Sequence, residues 1–134
     1  MARAFVAKEL HCKVHNEAGL LGRIVSALAV NGVSIIHLSA YSVGDMGYLQ
    51  MVTKDNAKAR EAVTYFIPTV EERDVLIVEF ENKVGTLALV AKLLGNHDIF
   101  IDYVYGTSGD GFKIVGVFST RDNEKAAQLI NEAP

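Results

Sequence analysis

From Ala4 to His15 polar and apolar residues alternate: Leu10, Cys12 and Val14 take one phase, His11, Lys13 and His15 the other. A period of two predicts a half-buried strand. From Leu20 the period changes. Leu20, Leu21, Ile24, Val25 and Leu28 recur at helical spacing, which predicts an amphipathic helix with Asn16 as its N-cap. Asn31-Gly32 stops that helix, since Gly32 suits the left-handed position beyond a helix end. Val33 to Val43 is rich in β-branched residues and reads as a strand. Gly44 to Gly47 is a hairpin signal, and Tyr48 to Thr53 is the returning strand. Asp55 caps a short helix from Ala57 to about Tyr65, and Thr69 to Arg73 supplies a closing strand.

The same course runs a second time. Val75 to Glu81 reads as a strand and Val84 to Leu94 as a helix, with Leu87, Val90, Ala91 and Leu94 on one face. Ile99 to Thr107 and Phe112 to Thr120 flank a second hairpin signal, Ser108 to Gly111. Asp122 then caps a helix through Ile130. Asn16-x-x-Gly19-x-Leu21 is matched by Asn82-x-x-Gly85-x-Leu87, at 82 − 16 = 66, and Asp55-Asn56 by Asp122-Asn123, at 122 − 55 = 67. That period is too long for a solenoid and fits two copies of a βαββαβ unit. The expectation is an α+β chain of two ferredoxin-like units in tandem, residues 1–70 and 71–134. Each unit has an antiparallel sheet with helices on one face.

No linker separates the copies, so Thr69 to Phe80 reads as one long strand that ends the first and begins the second. The second copy has no closing strand before Pro134, whereas Ala4 to Glu9 precede the first matched strand residues. The N-terminal strand is therefore expected to complete the second unit. Val75 to Val78 are all apolar, as are Ile114, Val115, Val117 and Phe118. A sheet with helices on one face should be polar on the other. A second copy of the chain, related by a twofold, is the expected cover.

Composition narrows the chemistry. Half of the 134 residues are hydrophobic, the net charge is −3, and no Lys/Arg-rich block offers a nucleic-acid footprint. The first ten residues lack the apolar stretch of a signal peptide, and no run is long enough to span a membrane. A cytoplasmic protein is expected. The single cysteine, Cys12, falls in the buried phase of its strand and reads as core. His11 and His15 share a strand face but stand roughly 13 Å apart, too far to share a metal. His37 and His97 match no ligand pattern, and there is no nucleophile motif or phosphate loop. Neither catalysis, metal nor cofactor is expected. "GDGFKIVG" at Gly109 is glycine-rich but lies between two strands, so it reads as a hairpin.

What remains is the Asn-x-x-Gly-x-Leu loop between strand and helix. It has two readings. In one, Asn caps, Gly permits close packing and Leu starts the buried face. In the other, the open N–H groups and partial positive charge of a helix start receive a small carboxylate.

Both halves resemble ACT domains, regulatory modules of ferredoxin-like fold that bind amino acids. The resemblance is carried by "NEAGLLGRIVSALAVNGVSI" (Asn16 to Ile35), "MGYLQMV" (Met46 to Val52) and "NKVGTLALVAKLLGNHDIFI" (Asn82 to Ile101). It covers residues 4 to 130 and is nearest to small stand-alone proteins of two ACT units. It implies an amino acid or similar small carboxylate held at an interface between ACT units, by the strand–helix loop of one and the start of the second strand of its neighbour. Carried over, the loops are Asn16, Glu17, Ala18, Gly19, Leu20 and Leu21, and Asn82, Lys83, Val84, Gly85, Thr86 and Leu87. The strand starts are Ser34 and Ile35, and Phe100 and Ile101. Family members that bind small polar amino acids often carry Asn where this chain has Ser34 and Phe100, and often a Pro where it has Ala18 and Val84. With Lys83 opposite Glu17, these differences imply two unequal sites, of which Asn16 with Ser34 is the better. The resemblance implies a regulatory protein that passes the ligand signal to a separate enzyme, here as the homodimer expected from the apolar second face; a ligand-free protein–protein assembly module is the rival reading.

Overall fold

The computed structural model describes residues 2–134; Met1, where the expected first unit begins, lies outside them. The elements are β1 (Arg3–His15), α1 (Leu20–Val30), β2 (Ile35–Val43), β3 (Met46–Thr53) and α2 (Asn56–Val63). They continue as β4 (Thr69–Glu81), α3 (Thr86–Asn96), β5 (Ile101–Thr107), β6 (Lys113–Thr120) and α4 (Asn123–Glu132). The class is α+β with antiparallel strand pairing. Thr69–Glu81 is one uninterrupted strand of 13 residues.

Boundaries have local causes. The Asp55 carboxylate accepts from the Lys58 N–H and the Asp122 carboxylate from the Lys125 N–H, both at 3.1 Å, so each caps its helix. Past the end of α1, Gly32 takes φ +70°, where a side chain would crowd the backbone. Gly44, at φ +58°, leads the two-residue turn between β2 and β3. Four starts differ from the sequence reading by two residues. The second strand begins at Ile35 rather than Val33, β3 at Met46 rather than Tyr48, α3 at Thr86 rather than Val84 and β5 at Ile101 rather than Ile99.

The chain forms two units. Lys8–Arg73 make one, here the Asn16 unit; residues 2–7 with Asp74–Pro134 make the other, the Asn82 unit. In the Asn16 unit the strands lie in the order β2-β3-β1-β4; in the Asn82 unit the order is β1-β4-β6-β5. Counting each unit's strands from the one before its first helix, both have the order of a ferredoxin-like unit. In the Asn82 unit the fourth strand comes from residues 3–7 of β1. There the Asn131 side chain both accepts from the Ala4 N–H and donates to the Ala4 carbonyl, each at 2.8 Å. It takes the place of a neighbouring strand's backbone.

Each unit has its own core on its helix-bearing face. Leu10, Cys12, Val14, Leu49 and Met51 meet Leu20, Ile24 and Leu28 of α1 and Ala59 and Val63 of α2. In the Asn82 unit Leu76, Val78, Phe80 and Phe118 meet Val90 and Leu94 of α3 and Ala126 and Ile130 of α4. A fully buried leucine such as Leu28 or Leu94 contributes about 1.5–3 kcal/mol by leaving water. The same anchor recurs in each unit. Asn56 accepts from Thr53 and donates to the Lys8 carbonyl (3.0 Å); Asn123 accepts from Thr120 and donates to the Asp74 carbonyl (3.0 Å).

The apolar second face does not by itself call for a second copy of the chain. Val75, Ile77 and Val117 are buried within the single chain, and so is Val52. These side chains do not require another molecule to leave water. Among the described residues, no helix is long and apolar enough to cross a membrane.

Candidate functional site

The two strand–helix loops share a backbone device that is not the one expected. Asn16 and Asn82 do not cap the helices. The N-cap positions are Gly19, at φ +83°, and Gly85, at φ +91°, and no side chain caps either helix. A residue in the left-handed region cannot place a side-chain oxygen over its own helix start, so Gly fills this position for its backbone alone. The asparagines instead face the hairpins. The Asn16 N–H donates to the Asp45 carbonyl (2.7 Å) and the Asn82 N–H to the Phe112 carbonyl (2.8 Å). Beyond this point the two loops part.

In the Asn16 unit the loop borders a cleft of about 330 Å³. Its floor is Val14, Ile24 and Leu49, with Leu20 and Leu21 of α1 on one side and Ala40, Tyr41 and Ser42 of β2 on the other. Asn16, Glu17 and Gly19 form the rim, and Gly47 opens one wall. Tyr41 and Tyr48 pair across β2 and β3, their rings stacked with centroids 5.3 Å apart, and Lys13 Nζ lies 6.0 Å from the Tyr48 ring. The Glu17 carboxylate pairs with Arg23 at 2.6 Å, and the Arg23 guanidinium lies 5.6 Å from the Phe66 ring centroid. Arg23 offsets the negative charge at the rim, so a ligand carboxylate would not meet an unbalanced one. Among the described residues, none hydrogen-bonds the Asn16 carboxamide. It is left with donors and an acceptor for a ligand.

In the Asn82 unit the Asn82 amide donates to the Gly111 carbonyl at 3.0 Å and is taken up by the hairpin. The Thr86 hydroxyl turns back to the Glu81 and Lys83 carbonyls, at 2.7 and 3.0 Å. Lys83 pairs with Glu81 at 2.7 Å; this hydrogen bond holds the Glu81 carboxyl below its ordinary range and raises Lys83. The charge contrast between Glu17 and Lys83 is thus balanced locally on both sides. Val84 is fully exposed, and Leu87 is half exposed.

The strand-start residues lie elsewhere. Ile35 pairs with Thr53, whereas Gly47 at the cleft pairs with Val14 and Ser42. Six residues along β3 separate the two ends, about 20 Å. Ser34, whose carbonyl accepts from the Lys54 N–H, is therefore at the far end of β2 from Asn16 within this unit. Ile35 packs against the core. Ala18 is exposed and does not line the cleft. Ile101 pairs with Thr120 at the far end of the Asn82 unit, and Arg121 lies 4.7 Å from the Phe100 ring while bonding Asp102. Sequence reasoning missed Tyr41, Ser42, Gly47 and Tyr48. Only the antiparallel register brings the β2–β3 hairpin beside the loop; no motif spacing records it.

Cys12 is buried, and burial pushes its thiol up to about 11. His11 Nε2 lies 2.7 Å from the carboxylate of the buried Glu9. Among the described residues, no three His, Cys, Asp or Glu side chains cluster as a metal site would require.

No protein-family model matches the sequence, and no curated protein matches it. Solved structures do. The protein BT0572 of Bacteroides thetaiotaomicron superposes with a TM-score of 0.87 at 27% identity, over 96% of this chain and 89% of that one. The ligand-free regulatory subunit of aspartate kinase from Thermus thermophilus gives 0.68 at 14% identity, over 97% and 95%. E. coli aspartokinase III, in complex with lysine and aspartate, gives 0.59 at 12% identity, over 98% of this chain and 31% of that one. The chain has an ACT-type fold.

Proposed function

We propose that this chain is a regulatory protein that binds an amino acid or a similar small carboxylate and reports it to a separate enzyme in the cytoplasm. The observation that carries the reading is the cleft at the start of α1, with a free Asn16 carboxamide on its rim and a charge-balanced Glu17 beside it. The ligand's carboxylate meets the N–H groups that open α1, where the helix dipole favours negative charge. Its α-amino group meets the Asn16 oxygen, and its side chain enters toward Val14 and Leu49. The fold is shared with a regulatory subunit of aspartate kinase, and a solved aspartokinase of this likeness holds lysine and aspartate. Both support an amino acid as ligand.

Two ACT-type units arising by duplication explain the recurring anchors at Asn56 and Asn123. In a homodimer, the exposed Leu21, Leu38 and Val43 around β2 meet a second chain, whose Ser34 and Ile35 could then approach the cleft. The signal is the ligand's different affinity for two arrangements of that interface. The reading assigns the chain no catalysis of its own.

Thermal-shift screening against the twenty amino acids, followed by calorimetry, tests this. A ligand at 100 times its dissociation constant adds about 2.7 kcal/mol of stability. Silence from every amino acid at millimolar concentration would overturn the proposal. The exposed Val84, Leu89 and Phe112 favour the rival, a ligand-free assembly module. That reading expects a stoichiometric protein partner together with a silent ligand screen.

A further inference from the structure

We infer that only one of the two loops serves a ligand site, and that this site selects an α-amino acid with an apolar side chain of leucine to phenylalanine size, bound once per chain. The inference rests on the regulatory reading and adds to it a stoichiometry and a ligand class.

Strand register supplies the comparison. Val14 pairs with Gly47 in the Asn16 unit, and Phe80 pairs with Ile114 in the Asn82 unit. Each pair sits where the strand before the loop meets the strand after the hairpin, and each faces the helices. Val14, Phe80 and Ile114 all pack with their unit's core. Where the Asn16 unit has one isopropyl group and an empty position, the Asn82 unit has a benzyl and a sec-butyl group. The compensation lies deeper. Leu49 stands two residues beyond Gly47, and Gly116 two beyond Ile114. A Cβ at Gly116 would lie 2.8 Å from the Phe118 ring, which occupies that space. Bulk has moved toward the loop in the Asn82 unit and away from it in the Asn16 unit. The Asn82 amide is also spent on the Gly111 carbonyl, while the Asn16 carboxamide is open.

The space left at Asn16 states what fits. About 330 Å³ is at the lower end of small-molecule sites. Its depth is apolar, from Val14, Ile24 and Leu49, and its polar groups stand at the rim. A serine-sized side chain would leave that depth wet, and a charged side chain would be desolvated there without a partner.

The test is calorimetric titration of the full chain with L-leucine, L-phenylalanine and L-serine. The expected result is one site per chain, with leucine or phenylalanine binding at least about tenfold more tightly than serine, the scale set by a few methylenes in an apolar pocket. Gly47→Ile, which rebuilds the Asn82 arrangement, should abolish binding. Gly47→Ala is the companion if that variant does not fold. Its Cβ would lie 3.5 Å from Asn16 Oδ1, an ordinary contact, so it should fold and bind more weakly. Ile114→Val should leave affinity unchanged. Two ligands per chain, serine binding as tightly as leucine and phenylalanine, or unchanged binding in a folded Gly47 variant would overturn the inference and leave the regulatory reading standing. No binding by any of the twenty amino acids would remove the regulatory reading and this inference with it.

Discussion

The Asn16 and Asn82 loops are the same backbone with different interiors. Both begin a helix at a left-handed glycine, and both reach a hairpin carbonyl through the asparagine N–H. One borders a cleft floored by Val14 and walled in part by Gly47; the other has Phe80 and Ile114 at the matching positions. A duplicated motif is thus no measure of duplicated function. The loop residues describe how the chain turns, and the side chains beneath it decide whether anything can enter.

That contrast can be broken most directly in the interior. Phe80→Ala should cost about 3–5 kcal/mol, because it removes a buried ring from the core of its unit. Val14→Ala should cost only about 1–2 kcal/mol, since less apolar surface leaves its burial and the space above is already open. Urea denaturation of both variants measures the gap. Equal costs would mean that the Asn82 volume is not packed.

A smaller difference lies in titration. Cys12 sits in the Asn16 core, and Val78 stands at the matching place in the other. Burial raises the folded thiol from 9.0 to about 11. A raised pKa in the folded state means its stability contribution is complete below pH 9.0 and is lost as the pH climbs toward about 11. The loss is on the order of 3 kcal/mol. Cys12→Ala should not show it, so the wild-type-minus-variant stability difference should slope downward across that window. A flat difference would place the thiol in contact with water.

The smallest effect tests what the loops share. Gly19→Ala and Gly85→Ala each force a Cβ into the left-handed region and should each cost about 1–2 kcal/mol, equally in both units. Thermal melts of the two variants decide it. A marked inequality would show that the common backbone is not equally strained.

Much of the fold was legible along the chain. Period-two runs marked the strands and helical spacing marked the helices. Asp55 and Asp122 were readable as caps because capping acts across three residues. The candidate site was legible only as loops. Asn16 looked like a cap because it precedes an apolar helical run, but a left-handed Gly19 intervenes and resets the helix start. Gly47 was readable as a hairpin glycine, and Gly47 and Tyr48 as part of "MGYLQMV", but nothing in the sequence marked them or Tyr41 as cleft residues.

The sequence by itself determined the order of elements, where they end, and that one strand–helix device occurs twice, because these depend on residues a few positions apart. Only the tertiary structure decided that Val14 meets Gly47 while Phe80 meets Ile114. Those partners are more than thirty positions apart in the chain, at 47 − 14 = 33 and 114 − 80 = 34. Their meeting is set by sheet register, and a one-residue slip would turn each to the opposite face. The space behind each loop is a property of that register, so only the folded sheet reveals the cleft at Asn16.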